Sequence, residues 1–218
     1  MKKPVVTHDL ARLLIASAAF SIVLVGARVW RSHSGLYLSL IWNLFLAYIP
    51  FFISSCMVRK AGWFRHPLIF AAGLCLWLLF FPNAPYIITD LFHLQPKPRV
   101  PLWYDLLLIF SFAWNGLIAG YLSVMQCEQL IRQRVGRFAA LCFEGASMCL
   151  GAYGVFLGRF LRWNSWDMLT NPFSLTTEML RMVVHPFHYP AVWGMTLLLS
   201  VLMFLIYLTI KKIPGRSS

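Results

Sequence analysis

Apolar residues fall in six long runs, separated by short polar or proline-rich breaks. A helix crossing a bilayer needs about 20 mostly apolar residues. The runs therefore predict spans over residues of about 10–29, 35–57, 67–81, 105–126, 138–157 and 191–210. The second is broken only by Asn43 and bent at Pro50, and the third is short but can be extended by the apolar residues after it. A short helix is predicted at about 84–94, because Pro82 stops the third run, Asn83 suits an N-cap and Pro85 fits a first turn. Another is predicted at about 172–184, behind the N-cap Asn171. There Ser174, Thr177, Glu178, Arg181 and His185 make a polar stripe opposite Phe173, Leu175, Met179, Met182 and Val183. Some 13 residues reach only about 20 Å, so this helix is expected to lie in the outer interface. Pro96, Pro98 and Pro101 impose an extended strap before the fourth span. The expected fold is all-α: an integral membrane helical bundle of about six transmembrane helices, with short interfacial helices on the outer face. No internal repeat and no soluble domain interrupts it, so residues 1–218 form a single polytopic membrane domain.

Composition supports the membrane class, with 60% hydrophobic and only 12% charged residues, where soluble domains carry about 25% charged residues. The formal charge of +12 belongs to the loops, and no basic face for nucleic acid exists outside them. With six spans both termini share a side. Twelve of the 19 Lys and Arg fall on that side and seven on the other, which places both termini in the cytoplasm. Asp90, Asp105, Asp167 and Glu178 gather on the opposite, extracytoplasmic side, while Asp9 and Glu128 are inner and Glu144 lies within the fifth span. Lys2 and Lys3 before an apolar run imitate a signal peptide, but Arg12, Arg28 and Trp30 frame a retained first helix. The five cysteines form no C-x-x-C and read as small core residues.

Three stretches carry candidate chemistry. In the first, Tyr86, Thr89, Asp90 and His93 fall on one face of the short helix, with Trp103, Tyr104 and Asp105 beyond the strap. Asp90 and His93 suit acid–base work or a metal, and Asp90 equally suits structural pairing, whereas Asp105 suits capping of a helix start more than catalysis. The second is Gly158–Arg159–Phe160–Leu161–Arg162–Trp163–Asn164–Ser165–Trp166–Asp167. Its arginines match an anionic group, and an aromatic belt with snorkelling arginines is the plainer account. The fifth span points at it through a stripe of Glu144, Ser147, Gly151, Gly154, Gly158 and Arg162. Asn115, beside Gly116, Ala119 and Gly120 in the fourth span, is a candidate partner for Glu144. In the third, the proline between His185 and His188 spoils helical geometry, so no metal site is assigned.

Pro82–Asn83–Ala84–Pro85–Tyr86, Thr89–Asp90–Leu91, His93–Leu94, Trp103, Asp105, Ser111–Phe112–Ala113–Trp114–Asn115–Gly116 and the Gly158–Asp167 stretch together resemble a bacterial family of multi-pass membrane proteins, domain of unknown function 1361 (DUF1361). The resemblance implies a bacterial inner-membrane location and no assigned activity or residues.

The resulting expectation is a bacterial inner-membrane protein with a polar cluster at the extracytoplasmic face, binding or acting on an anionic lipid or lipid-linked substrate. Asp90, His93, Asp105 and Asp167 are the catalytic candidates. Tyr86, Asn115, Arg159, Arg162, Trp163 and Asn164 are the substrate-binding ones. Membrane lipids are the expected partners, and no cofactor is assigned. The alternatives are a transporter-like carrier or a non-catalytic scaffold or partner subunit. No nucleophile elbow, P-loop or zinc-protease signature marks an enzyme.

Overall fold

Polar and proline punctuation sets where the helices begin and end. The computed structural model describes residues 7–97, 99–161 and 172–213. Helix α1 (His8–Ser32) starts where the Thr7 hydroxyl accepts from the Leu10 N–H at 3.3 Å, and it stops at His33, whose φ of 54° is left-handed. Helix α2 (Ser39–Arg59) contains Pro50, and α3 (Pro67–Phe80) opens on its own proline. Pro82 has no N–H to give, which interrupts the ladder, but the Tyr86 N–H reaches the Pro82 carbonyl at 3.1 Å and the chain coils on. Helix α4 (Asn83–Tyr86) and a 3-10 segment (Ile87–His93) follow, so Pro67–His93 is one apolar span of 27 residues. The expected separate element at 84–94 is thus the end of the third span. Asn83 is its first helical residue rather than its cap, and its side-chain amide donates to the Phe80 carbonyl at 2.9 Å.

Helix α5 (Leu102–Arg134) has 33 residues, about 50 Å at 1.5 Å per residue. Helix α6 (Arg137–Phe160) follows Gly136, whose φ of 120° only glycine adopts readily. Helix α7 (Pro172–Val184), a 3-10 turn (Pro186–His188) and α8 (Pro190–Lys212) complete the described residues. Six of these segments are long and apolar enough to cross a membrane, and among the described residues there is no strand. The protein is an all-α, multi-pass membrane protein. Residues such as Leu13, Ile15, Phe52, Leu198 and Val201 are exposed along the spans, as surfaces that face lipid require. Four of the five cysteines, Cys56, Cys75, Cys142 and Cys149, share that outward position, and only Cys127 is a core residue. Their expected place in the core is corrected accordingly: a thiol is apolar enough to sit on a lipid-facing surface.

The chain divides into two units, Met1–Leu130 and Ile131–Ser217. In the first, Val25, Leu40, Leu44, Ala84, Ile87, Leu108 and Phe112 form a buried core. Helix α4 approaches α5 closely at Gly116 and Gly120. A Cβ at Gly116 would lie 2.7 Å from the Ala84 carbonyl oxygen, and one at Gly120 would lie 2.7 Å from the Ala84 Cβ. Small residues permit this backbone approach where lipid supplies no hydrophobic drive. Polar groups tie the same helices together. The Trp77 indole donates to Ser123 Oγ at 3.0 Å, and Ser54 Oγ donates to Gln126 Oε1 at 2.6 Å.

In the second unit α6 lies against α8. Glu144, Ser147 and Gly151 of the sequence stripe are buried there. Glu144 accepts from the Tyr207 hydroxyl at 3.3 Å and pairs with Lys211. An acid about two turns inside a span is therefore held by the last turn of α8, rather than by the expected partner Asn115. Helix α7 docks through Met182, packed with Tyr153 and Val192, and the Trp193 indole donates to the Met182 carbonyl at 3.2 Å.

Candidate functional site

One end of the first unit gathers charge. Arg28, in the penultimate turn of α1, is 2% exposed, and Asp105, in the first turn of α5, is 1% exposed. They meet as a two-pronged pair, Nε to Oδ1 at 2.7 Å and Nη2 to Oδ2 at 3.0 Å. A guanidinium matches a carboxylate in this fork geometry, and burial is tolerated because each charge is matched by the other. The Tyr37 ring lies under the same guanidinium, 4.7 Å from Cζ to the centroid. The Tyr37 hydroxyl donates to the His93 carbonyl at 3.3 Å, and the Tyr104 hydroxyl donates to the Leu24 carbonyl at 2.8 Å. The end of α1, the turn before α2, the end of the 3-10 segment and the start of α5 are thereby fastened together.

Beside this knot lies a cavity of about 620 Å³. Arg28 and Arg31 of α1, Lys97 and Arg99 of the strap, and Tyr104 of α5 line it, with Trp30 and Pro101. None of the described lining residues is acidic. Arg31, Lys97 and Arg99 are exposed, and among the described residues no side-chain hydrogen bond or ion pair occupies them. The strap is not simply extended: Lys97 and Val100 face one another in an isolated antiparallel bridge, and Arg99 sits at a φ of 69°. Three non-glycine residues have positive φ among the described residues, His33, Tyr37 and Arg99. All three flank this knot or its cavity. Left-handed backbone costs such residues about 1–2 kcal/mol each, and strain of this kind collects at functional sites.

Residues 42–209 match the family described as "Protein of unknown function (DUF1361)". The chain belongs to this family. The match starts downstream of Arg28, Arg31 and Tyr37, so the DUF1361 region contributes the strap, Tyr104 and Asp105 to the cavity end, while α1 lies before it. The chain matches no curated protein and no solved structure.

Within the DUF1361 region the sequence candidates are placed as follows. Asp90 is buried, and its Oδ2 accepts from the Asn43 side-chain amide at 3.1 Å. His93 is exposed at the end of the 3-10 segment. Tyr86 is half-buried, and its carbonyl accepts from Thr89 Oγ1 at 2.6 Å. Asp105 is the partner of Arg28. Asn115 spans three bonds: its amide donates to Ser21 Oγ at 3.1 Å and to the Ser111 carbonyl at 2.9 Å, and its Oδ1 accepts from Tyr48 at 3.4 Å. It therefore joins α1, α2 and α5. Arg159 is half-buried in the last turn of α6, in the second unit. Arg162, Trp163, Asn164 and Asp167 lie outside the described residues. His185 and His188 do come together, with ring centroids 5.7 Å apart, because the proline begins a 3-10 turn in which residues three apart eclipse. The α-helix itself ends at Val184, so the two histidines do not share a face of α7. Among the described residues no group of three or more potential ligands joins them.

Reading the residues alone missed Arg28, Arg31, Lys97 and Arg99 as a group. Arg28 read there, with Trp30, as the closing interface of the first helix, and residues 95–101 as an extended strap. The available signal was the side assignment: all four are among the seven basic residues opposite the termini.

Proposed function

We propose that the protein binds the anionic headgroup of a lipid or lipid-linked intermediate at the extracytoplasmic face of a bacterial inner membrane. The observation that carries this reading is the cavity itself. Four cations border it, and its one buried cation, Arg28, is already matched by Asp105. The remaining positive charge is available to an anion. Basic residues are disfavoured on the outer side of a membrane protein, yet four of the seven assigned there line this one cavity. The cavity sits at the end of α1 and the start of α5, the depth at which a lipid headgroup would lie. Fixing Arg28 through Asp105 and Tyr37 anchors the end of α1 that carries Arg31, which lowers the ordering cost of binding. His93, at the same end, is the side chain suited to carry a proton if the bound group reacts.

Native mass spectrometry of the protein extracted in mild detergent tests the binding. Wild type is expected to retain an anionic lipid adduct that an Arg31→Gln/Lys97→Gln/Arg99→Gln variant loses, with melting unchanged because all three residues are exposed. Identical adducts on both proteins contradict the reading.

A scaffold role is the second reading, favoured by a specific observation. Asp105, Asn115 and Glu144 each bond to another helix, so much of the intramembrane polarity holds helices together. It leaves Arg31, Lys97 and Arg99 without an explanation.

A further inference from the structure

We infer that the group this cavity takes is a diphosphate. The inference rests on the anion-binding reading above and adds the class of anion. Charge is the first argument. The lining carries four positive charges, and Asp105 offsets one of them through Arg28. Arg31, Lys97 and Arg99 are left as the positive charge to be matched. A phosphodiester headgroup brings one negative charge, and a phosphomonoester about 1.5 to 2. A diphosphate ester brings a further ionised phosphoryl group, and it is the common anion that comes closest to three charges.

The spread of the cations is the second argument. Arg28 and Arg31 stand one turn apart on α1, while Lys97 and Arg99 belong to the bridged turn of the strap. Two phosphoryl groups in series let Arg31 of α1 and the cations of the strap each hold one, where a single phosphoryl group engages only one of the two elements. Arginine forks suit such bidentate contacts, and Lys97 adds a point charge. The start of α5 at Leu102 adds the positive end of a 33-residue helix at the same cavity, beside the lining residue Pro101.

The lining also decides how the charge is neutralised. Diphosphates are commonly held through Mg²⁺ on carboxylates. None of the described lining residues is acidic, and Asp105 is engaged with Arg28. The cations of the chain take that role, so binding is metal-independent.

Isothermal titration of the full chain in detergent with EDTA present tests this, using inorganic phosphate, inorganic diphosphate and a short-chain alkyl diphosphate. Inorganic diphosphate is expected to bind at least tenfold more tightly than phosphate. Arg31→Gln and Arg99→Gln are each expected to remove most of that preference without changing the melting temperature. A tighter alkyl diphosphate identifies a lipid-linked source, and equal affinity for the two diphosphates identifies a soluble one; both support the inference. Equal binding of phosphate and diphosphate overturns the diphosphate assignment but leaves the anion reading standing. A diphosphate that binds only with Mg²⁺ overturns it as well. Absence of binding by all three, together with the loss of any anionic lipid adduct, overturns both.

Discussion

Arg28 and Asp105 lie 77 positions apart in the chain and share two hydrogen bonds, at 2.7 and 3.0 Å, in the interior of the first unit. The pair fixes the end of α1 to the start of α5 and aims the guanidinium beside the cavity. Removing one partner leaves a buried charge uncompensated, which costs about 3–5 kcal/mol, whereas replacing both by apolar groups of similar volume is far milder. Arg28→Gln and Asp105→Asn are therefore each expected to lose about that much stability. The double variant Arg28→Met/Asp105→Leu is expected to recover most of it. Unfolding in one detergent, analysed as a double-mutant cycle, gives the coupling. Strictly additive losses would contradict the pairing.

Packing between α4 and α5 makes a second, independent expectation. The Cβ of Gly116→Ala would sit 2.7 Å from a backbone oxygen, that of Ala84, which cannot rotate away. Overpacking of this kind costs about 1–3 kcal/mol. Gly26 has nothing within 4 Å of the corresponding position. Gly26→Ala is expected to be neutral, or to gain up to about 1 kcal/mol from helix propensity. Paired thermal melts read the contrast, and equal effects at the two glycines would mean that α4 does not approach α5 as described.

Tyr37 reports on the charge knot by its ionisation. Burial pushes its phenol upward, Asp105 adds to the rise, Arg28 opposes it and Asp90 adds again. A folded value above the unfolded one of about 10 means that the folded state holds the proton more tightly. The stabilisation is fully present below about pH 10 and is lost as pH rises through the folded value. Arg28→Gln removes the opposing cation and is expected to raise the phenol further, while Asp105→Asn is expected to lower it. Carbon-13 NMR of labelled tyrosine ring carbons follows each case, and a Tyr37 titration indifferent to both variants contradicts the proximity.

The span pattern was readable from the chain because lipid demands about 20 apolar residues whatever the packing partners are. The third span shows where that rule stops. Pro82 reads locally as a terminator, yet the helix restarts within two residues, because Asn83 bonds back to Phe80 and α4 packs on α5. Asp90 was legible as a costly acid in an apolar setting, but its partner Asn43, 47 positions earlier, was not, since no local spacing links them. Glu144 was legible as an acid needing a partner, and its true one lies 67 positions away at Lys211. The cavity was least legible of all. Arg28, Arg31, Lys97 and Arg99 form no motif, and they meet only because the Arg28–Asp105 pair and the turn at Lys97–Val100 bring α1 and the strap together.

If the cavity takes an anionic headgroup from outside, a label placed in its wall is accessible there and is shielded by such a lipid. Trp30 lines the cavity and carries no charge, so Trp30→Cys leaves all four cations in place. The background is a chain whose exposed Cys56, Cys75, Cys142 and Cys149 are replaced by serine, with the buried Cys127 retained. In intact cells stripped of their outer envelope, the rate of labelling by a membrane-impermeant maleimide is measured with and without short-chain lipids. Labelling from outside is expected, slowed at least several-fold by short-chain phosphatidic acid and unaffected by the zwitterionic phosphatidylcholine of equal chain length. Labelling only after the membrane is permeabilised, or a rate that the two lipids change equally, would contradict the anion reading.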